Sequence, residues 1–425
     1  MKKLLIISPY FPPSNAADMQ RIRTSLPYFE KFGWVPEVVC VNEHYSDMNK
    51  DLLLIESIPV HLKIHKVRAF SKKITAKIGL GSIALRSLWY YKKYVNDLLK
   101  RDHFDLIYFS TTQFPICILG NYWKQKFNIP YVIDMQDPWH TDYYLHKPKA
   151  ERPKKYWFSY RLNKYLEPVA MKNVDGFVSV SEAYIETLKE RYPNLAEKPA
   201  AIIPFGSHEL DFKIAADHIK HTKLKFQPDQ LNLVYVGAVG TIMKESIEYL
   251  CATLAQLKAE QNALYKQLHF YFIGTSYAPD GEGMASVVPL AKQYEIEDCI
   301  TEQTDRMPYF ESLTILTQAD VLLVIGSDDK AYNPSKIFTY ALAKKPVIGI
   351  FKTESPAVIA LQHSTEGLVV KYELSNAKKE LEAYLVYLIE NGVEVPKIKT
   401  NINTAEELTK KQCELFNRVI HNERL

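Results

Sequence analysis

The chain has 425 residues, 47% hydrophobic and 24% charged, with 15 glycines and no compositional tract. This excludes a disordered, collagen-like or repeat-array protein and predicts two domains of about 200 residues each. A net charge of +4 is too small for a nucleic-acid binder, but it conceals an asymmetry: residues 1–205 hold 30 Lys and Arg against 20 Asp and Glu, and residues 206–425 hold 23 against 29.

A basic front half and an acidic back half point to two units with different partners. The N-terminal Met1-Lys2-Lys3 runs into only four apolar residues, Leu4-Leu5-Ile6-Ile7. That is too short for a signal-peptide core or a membrane span and reads as a buried first strand, so a cytoplasmic protein is expected. The cysteines (Cys40, Cys117, Cys251, Cys299, Cys413) are odd in number and widely spaced. They indicate neither a disulfide framework nor a zinc site.

In chain order, short apolar runs alternate with amphipathic segments, the signature of parallel sheets wrapped in helices. Strands are predicted at 3–8, 37–41, 62–67, 106–110, 131–134, 176–180 and 201–204, with helices at 18–32, 76–100, 114–126, 154–171 and 182–191. After a polar stretch at 213–230, further strands are predicted at 231–236, 269–273, 321–325, 346–351 and 368–370. A last helix, 404–424, follows the final strand. The expected class is α/β, with two doubly wound domains facing across a cleft. Ligands in such sheets bind beyond the carboxyl ends of the strands, so functional residues are sought there.

Beyond the first strand lies a small-residue loop, Ser8 to Asp18, with Asn15, leading to Arg21 and Arg23. It reads as a plain βα connection with Asp18 as helix cap, or as an anion-facing loop. The strand at 131–134 ends in Asp134-Met135-Gln136-Asp137-Pro138-Trp139-His140. This is either a solvated Asp-Pro turn, or a site whose carboxylates and His140 suit proton transfer while Trp139 offers a face to a sugar. Gly237-Ala238-Val239-Gly240, followed by Lys244, and Gly274-Thr275-Ser276 are open loops that allow a phosphate to approach backbone N–H groups. Asn333-Pro334-Ser335-Lys336 opens a helix that continues to Thr339, and a hydroxyl and an ammonium at that end suit a diphosphate.

The ordered set of these segments resembles bacterial nucleotide-sugar-dependent glycosyltransferases of the GT-B fold. The likeness is to family-4-like enzymes of surface-polysaccharide synthesis and extends over nearly the whole chain. It is carried by Tyr10-Phe11-Pro12-Pro13, Asp134-Met135-Gln136-Asp137-Pro138-Trp139, Ile202-Ile203-Pro204-Phe205-Gly206 and, most specifically, Pro334-Ser335-Lys336-Ile337-Phe338-Thr339-Tyr340 with Lys345-Pro346-Val347-Ile348.

The resemblance implies an acceptor-binding Rossmann-like domain over 1–205 and a nucleotide-sugar-binding one over 206–403, with the helix at about 404–425 packing back on the first. It implies a metal-independent sugar transfer without cofactor, from a nucleoside diphosphate sugar to a glycan or lipid-linked acceptor. Asp137 would handle the acceptor proton, with Asp134 or His140 as alternatives. Asn15, Arg21 and Trp139 would hold the acceptor. The donor would be bound by Gly237, Lys244, Gly274, Thr275, Asn333, Ser335, Lys336 and Thr339. The chain departs from the family pattern at Ala238, where an arginine is usual, and at Thr339, where a glutamate is usual. A non-catalytic binding or assembly protein on this fold, or an epimerase or hydrolase, are the other readings.

Residues 50–102 hold 12 basic residues against 4 acidic. Aromatic and basic residues interleave there, and again at 146–164 around Trp157 and Tyr160. Either an amphipathic helix with a solvated outer face, or peripheral contact with an anionic membrane at its inner face, follows from that pattern.

Overall fold

The computed structural model describes residues 1–146, 148–149, 152, 156–276, 278, 281–328, 336–396 and 403–422. The chain divides into two compact units, Met1–Phe205 with Thr404–Leu425, and Gly206–Asn403.

Unit 1 is built on seven parallel strands: β1 (Lys2–Ile7), β2 (Trp34–Val41), β3 (Lys63–Val67), β4 (Leu106–Ser110), β5 (Tyr131–Met135), β6 (Gly176–Ser179) and β7 (Ala200–Ile202), in the order 3-2-1-4-5-6-7. The central strands are continuous apolar runs because both faces are covered; Leu4, Leu5, Ile6 and Ile7 have no exposed surface. β3 lies at an edge and carries Lys63 and Lys66, charges that suppress edge-to-edge pairing.

Helix α1 (Gln20–Ser25) follows β1, α2 (Ile83–Arg101) precedes β4, and α3 (Ile118–Phe127) links β4 to β5. α4 (Tyr156–Met171) and α5 (Glu182–Arg191) flank β6. The helix expected over 18–32 is cut after Ser25: Pro27 cannot donate to a helical ladder, and Gly33 at φ +84° turns the chain into β2. The helix expected from residue 76 begins instead at Ile83, behind Gly79 at φ +83° and capped by the Ser82 hydroxyl.

Unit 2 carries six parallel strands: β8 (Leu231–Val236), β9 (Leu268–Ile273), β10 (Ile300–Gln303), β11 (Val321–Ile325), β12 (Val347–Phe351) and β13 (Gly367–Lys371), in the order 10-9-8-11-12-13. Its helices include α6 (Glu209–His218), α7 (Lys244–Glu260), α8 (Tyr309–Gln318), α9 (Lys336–Leu342), α10 (Pro356–Ser364) and α11 (Ala377–Asn391). α6 occupies part of the stretch read as a polar linker, and β10 is an edge strand the sequence pattern does not reveal. The last helix, α12 (Ala405–Asn422), belongs to unit 1. Its Phe416 contacts the rings of Phe29, Trp34 and Tyr108 at 6.4, 5.6 and 4.9 Å, and its Gln412 amide donates to the Ser25 hydroxyl.

In each sheet the strand order reverses once. The chain runs outward from β1 through β2 to β3 and then crosses back to β4 on the other side of β1. β8, β9, β10 and β11 repeat the pattern, so that the switch lies between β1 and β4 and between β8 and β11. The crossovers leave these strands in opposite directions and open a crevice at their carboxyl ends. Among the described residues no helix is long and apolar enough to cross a membrane.

Candidate functional site

At the unit 1 switch point the loops after β1, β4 and β5 converge. Asp18 is 95% buried, and its carboxylate accepts from the Thr111 hydroxyl at 2.7 Å and the Thr112 N–H at 3.1 Å. It does not cap the helix it precedes. Burial raises its pKa from the ordinary carboxylate value, and the hydrogen bonds only partly offset that. Asp134 has no exposed surface; the Ser110 hydroxyl and the Gln136 amide each donate to its Oδ2 at 2.8 Å, and Arg21 Nε lies 2.8 Å from the same oxygen.

Arg21 spends its remaining donors on the carbonyls of Ile203 (2.7 Å) and Pro204 (3.3 Å), and its guanidinium covers the Phe205 ring at 4.9 Å. Two sequence expectations are therefore corrected. Arg21 is consumed in tying the β7 exit to β5 and is not open to an acceptor phosphate. Asp134 is the buried counter-charge of Arg21, so it is not an accessible base.

Trp139 is corrected as well. It is 4% exposed, stacked on Phe114 at 5.4 Å, with its indole N–H donated to Asn163 of α4. Its face is covered by Phe114 and is not open to a sugar. His140 turns the same way: its N–H donates to Glu167, its carbonyl accepts from Arg191, and its ring lies 4.8 Å from Tyr160. Desolvation lowers its pKa from the ordinary imidazole value.

What remains facing outward is Asp137. Its side chain is exposed, yet close protein walls desolvate its carboxyl, and the like charge of Asp18 adds to the effect; together they raise its pKa. An exposed carboxyl with a raised pKa beside a switch point is suited to accepting a proton. Asn15, on the β1 loop, is half-buried, and its side-chain amide has no partner among the described residues.

At the unit 2 switch point β8 ends in Tyr235-Val236-Gly237. The ammonium of the half-buried Lys336, at the start of α9, turns in there; it donates to the Val236 carbonyl at 3.1 Å and lies 3.8 Å from the centre of the Tyr235 ring. Gly237, at φ +139°, is required by this arrangement: a Cβ there would lie 2.6 Å from Lys336 Nζ. Tyr340, one turn on, holds the strand end in place. It accepts from the Val236 N–H at 2.9 Å and donates to the Val236 carbonyl at 3.3 Å. Among the described residues no carboxylate pairs with Lys336, and burial lowers its pKa to about 7. Thr339 is half-exposed on the same face of α9.

Gly274 (φ +71°) and Thr275 follow β9, and both N–H groups donate to the Gln303 carbonyl. The Thr275 hydroxyl donates to Glu302 at 2.8 Å. Thr275 is thereby held within the loop wall, while Glu302 also receives the N–H groups of Ser286, Val287 and Val288. Lys244 is exposed and pairs with Glu248 at 3.4 Å, one turn along α7. Asn333 and Ser335 lie outside the described residues. Asp18, Tyr235 and Glu302 were missed by the sequence reading. Asp18 could have been found, because it and Thr111 follow the two strands that flank the switch point.

Residues 63–207 match the sequence model of Glycosyltransferase Family 4. No curated protein sequence matches the chain. Among solved structures, Anabaena Alr3699/HepE in complex with UDP-glucose is similar at 14% identity over 100% of this chain and 99% of that one, with a TM-score of 0.52. A UDP-forming trehalose-phosphate synthase from Burkholderia xenovorans covers 100% of both chains at 11% identity and TM-score 0.56. WaaG, a glycosyltransferase involved in lipopolysaccharide biosynthesis, covers 98% of this chain and 95% of that one at 14% identity and TM-score 0.50.

The fold is GT-B. The GT-B likeness spans both units, whereas the family model lies within unit 1 except for its last two residues. Within this GT-B chain the two switch points differ in chemistry. Unit 1 presents a carboxyl of raised pKa, and unit 2 presents an amine and two positive-φ glycine loops.

Proposed function

We propose that the protein is a glycosyltransferase that moves a sugar from a nucleoside diphosphate sugar to a hydroxyl of a glycan or lipid-linked glycan, in the building of cell-surface polysaccharide. The observation that carries this reading is the chemical division just described, an exposed Asp137 carboxyl of raised pKa in one unit and the Lys336 ammonium against Gly237 at the end of β8 in the other. The Glycosyltransferase Family 4 match over 63–207 supports it, as does the likeness to HepE, whose structure holds UDP-glucose.

In this proposal the donor diphosphate lies against the Gly237 and Gly274 loops, with Lys336 and Lys244 supplying positive charge and Thr339 a hydroxyl. Asn333 and Ser335 complete the donor set. The acceptor oxygen attacks the anomeric carbon, and the bond from that carbon to the diphosphate oxygen breaks. The leaving diphosphate carries the electron pair, and Asp137 takes the acceptor proton. The charge developing on the leaving group is balanced by the lysines, without a metal. Asn15, on the loop after β1, is the acceptor contact kept in this proposal.

A panel of nucleoside diphosphate sugars, read by thermal shift and by mass spectrometry of products, tests the proposal. At least one donor should stabilise the protein and yield a glycosylated lipid or glycan. Asp137→Asn should keep donor binding and lose about 10²-fold or more in turnover. If no nucleotide stabilises the protein, the donor assignment is wrong. If binding persists without turnover for any acceptor, the non-catalytic reading takes its place.

A further inference from the structure

Two stretches far apart in the chain lack acidic residues altogether. Residues 57–96 contain nine Lys and Arg and no Asp or Glu, and residues 152–166 contain five and none. The fold of unit 1 brings them together. The segment Lys72–Thr75, with the turn at Ala76–Ile78, ends at Gly79, and the Phe158 ring of α4 lies 3.0 Å from where a Gly79 Cβ would stand. The chain before α2 thus rests on the start of α4.

Large apolar side chains are exposed on the segments that meet here. Ile74 is 71% exposed, Trp157 65%, Trp89 54% and Phe70 46%. Phe70 is not a stray residue, since its ring contacts Tyr90 at 5.0 Å and Trp89 at 6.5 Å. Cations surround the cluster. Lys93 lies over Trp89 at 5.5 Å and Arg161 over Trp157 at 5.8 Å, while Lys73, Lys77 and Lys164 are exposed and pair with no carboxylate among the described residues.

Singly exposed apolar residues are ordinary, but a cluster of aromatic and aliphatic tips ringed by unneutralised lysines is not. We propose that this face of unit 1, formed where residues 70–93 meet the first turns of α4, docks on a bilayer surface containing anionic phospholipid. Trp and Phe side chains favour the headgroup boundary, where one end is apolar and the other wet, and lysines beside them meet lipid phosphates. Ile74, the most exposed of the four, decides against a nucleic-acid partner: an aliphatic tip has no base to stack on, but it can enter an acyl layer. The proposal goes beyond sugar transfer and stands or falls separately from it.

The full-length protein is mixed with vesicles of phosphatidylcholine alone, or of phosphatidylcholine with phosphatidylglycerol, and floated on a density gradient. It should float with the anionic vesicles at low salt, be released at high salt, and ignore phosphatidylcholine. Vesicles with brominated acyl chains should quench its tryptophan emission, because Trp89 and Trp157 approach the acyl boundary. Ile74→Glu with Trp157→Ala, both at exposed positions, should lower the anionic-vesicle partition about tenfold or more while leaving the melting temperature unchanged. Lys73→Ala with Lys77→Ala should do the same and flatten the salt dependence. No flotation at low salt, flotation insensitive to both double variants, or tighter retention by single-stranded RNA than by the anionic vesicles would each overturn the proposal.

Discussion

Arg21 and Asp134 form an ion pair sealed from water, with side chains 2% and 0% exposed. Breaking such a pair from one side leaves a buried charge uncompensated, which costs about 3–5 kcal/mol. Arg21→Met should therefore lower the unfolding free energy of unit 1 by roughly that amount in urea titration, with little recovery from added salt. An acceptor-binding arginine would instead lose affinity with stability unchanged. Lys336 makes a second prediction. Its pKa is lowered to about 7, so above that pH the free protein holds it mostly neutral. A diphosphate beside it favours the ammonium, so binding raises its pKa and takes up a proton. Affinity for a nucleoside diphosphate should then fall as pH rises above 7, by up to about tenfold per unit. Calorimetric titration at pH 8 in phosphate and in Tris should give binding enthalpies that differ with the buffer's ionisation enthalpy. Lys336→Met should remove both effects, and an affinity independent of pH would refute the coupling.

Glu302 holds its neighbourhood together at the scale of elements. Its carboxylate takes three N–H groups at the entry to the helix Val288–Gln293 and the hydroxyls of Ser286 and of Thr275 in the β9 loop. Glu302→Ala orphans all five donors and should cost about 2–3 kcal/mol, with faster amide exchange at 274–276 and 286–288 as the local readout. The strand that carries Glu302 was also the least legible in the sequence. In β10 only Ile300 is buried, and Thr301, Glu302 and Gln303 read as loop. The strands covered on both faces were plain: β4, β8 and β11 have the bounds their apolar runs predict. Helix ends failed where one residue overruled a long periodic stretch, Pro27 in one case and Gly79 in the other. For the site, position in the loops beyond the strands made Gly237, Lys336 and Asp137 candidates. It could not say which way Arg21, Asp134 or Trp139 would turn. Their partners, Ile203, Ser110 and Phe114, come from other parts of the chain, and a linear pattern carries no sign of them.

On the scale of the whole molecule the chain leaves unit 1 at Phe205, builds unit 2, and returns at Thr404 to complete the unit it left. The return is structural. α12 buries Leu408, Leu415, Phe416, Val419 and Ile420 in the same core as Leu4, Ile6, Trp34 and Tyr108, and Lys2 donates to Asn417 at 2.6 Å. Unit 1 therefore depends on residues that follow all of unit 2. Phe416→Ala removes a ring packed on three others and should cost about 3–5 kcal/mol. A chain ending at residue 403 should lose much more, since Trp34, Phe29 and Tyr108 would then face water. Hydrogen exchange separates this from general damage: in both variants the amides of β1, β2 and β4 should lose protection, while those of β8, β9 and β11 keep theirs. Equal loss in both units would mean that they unfold as one cooperative body. Full protection of β1 without α12 would mean that the helix merely covers a core that closes without it.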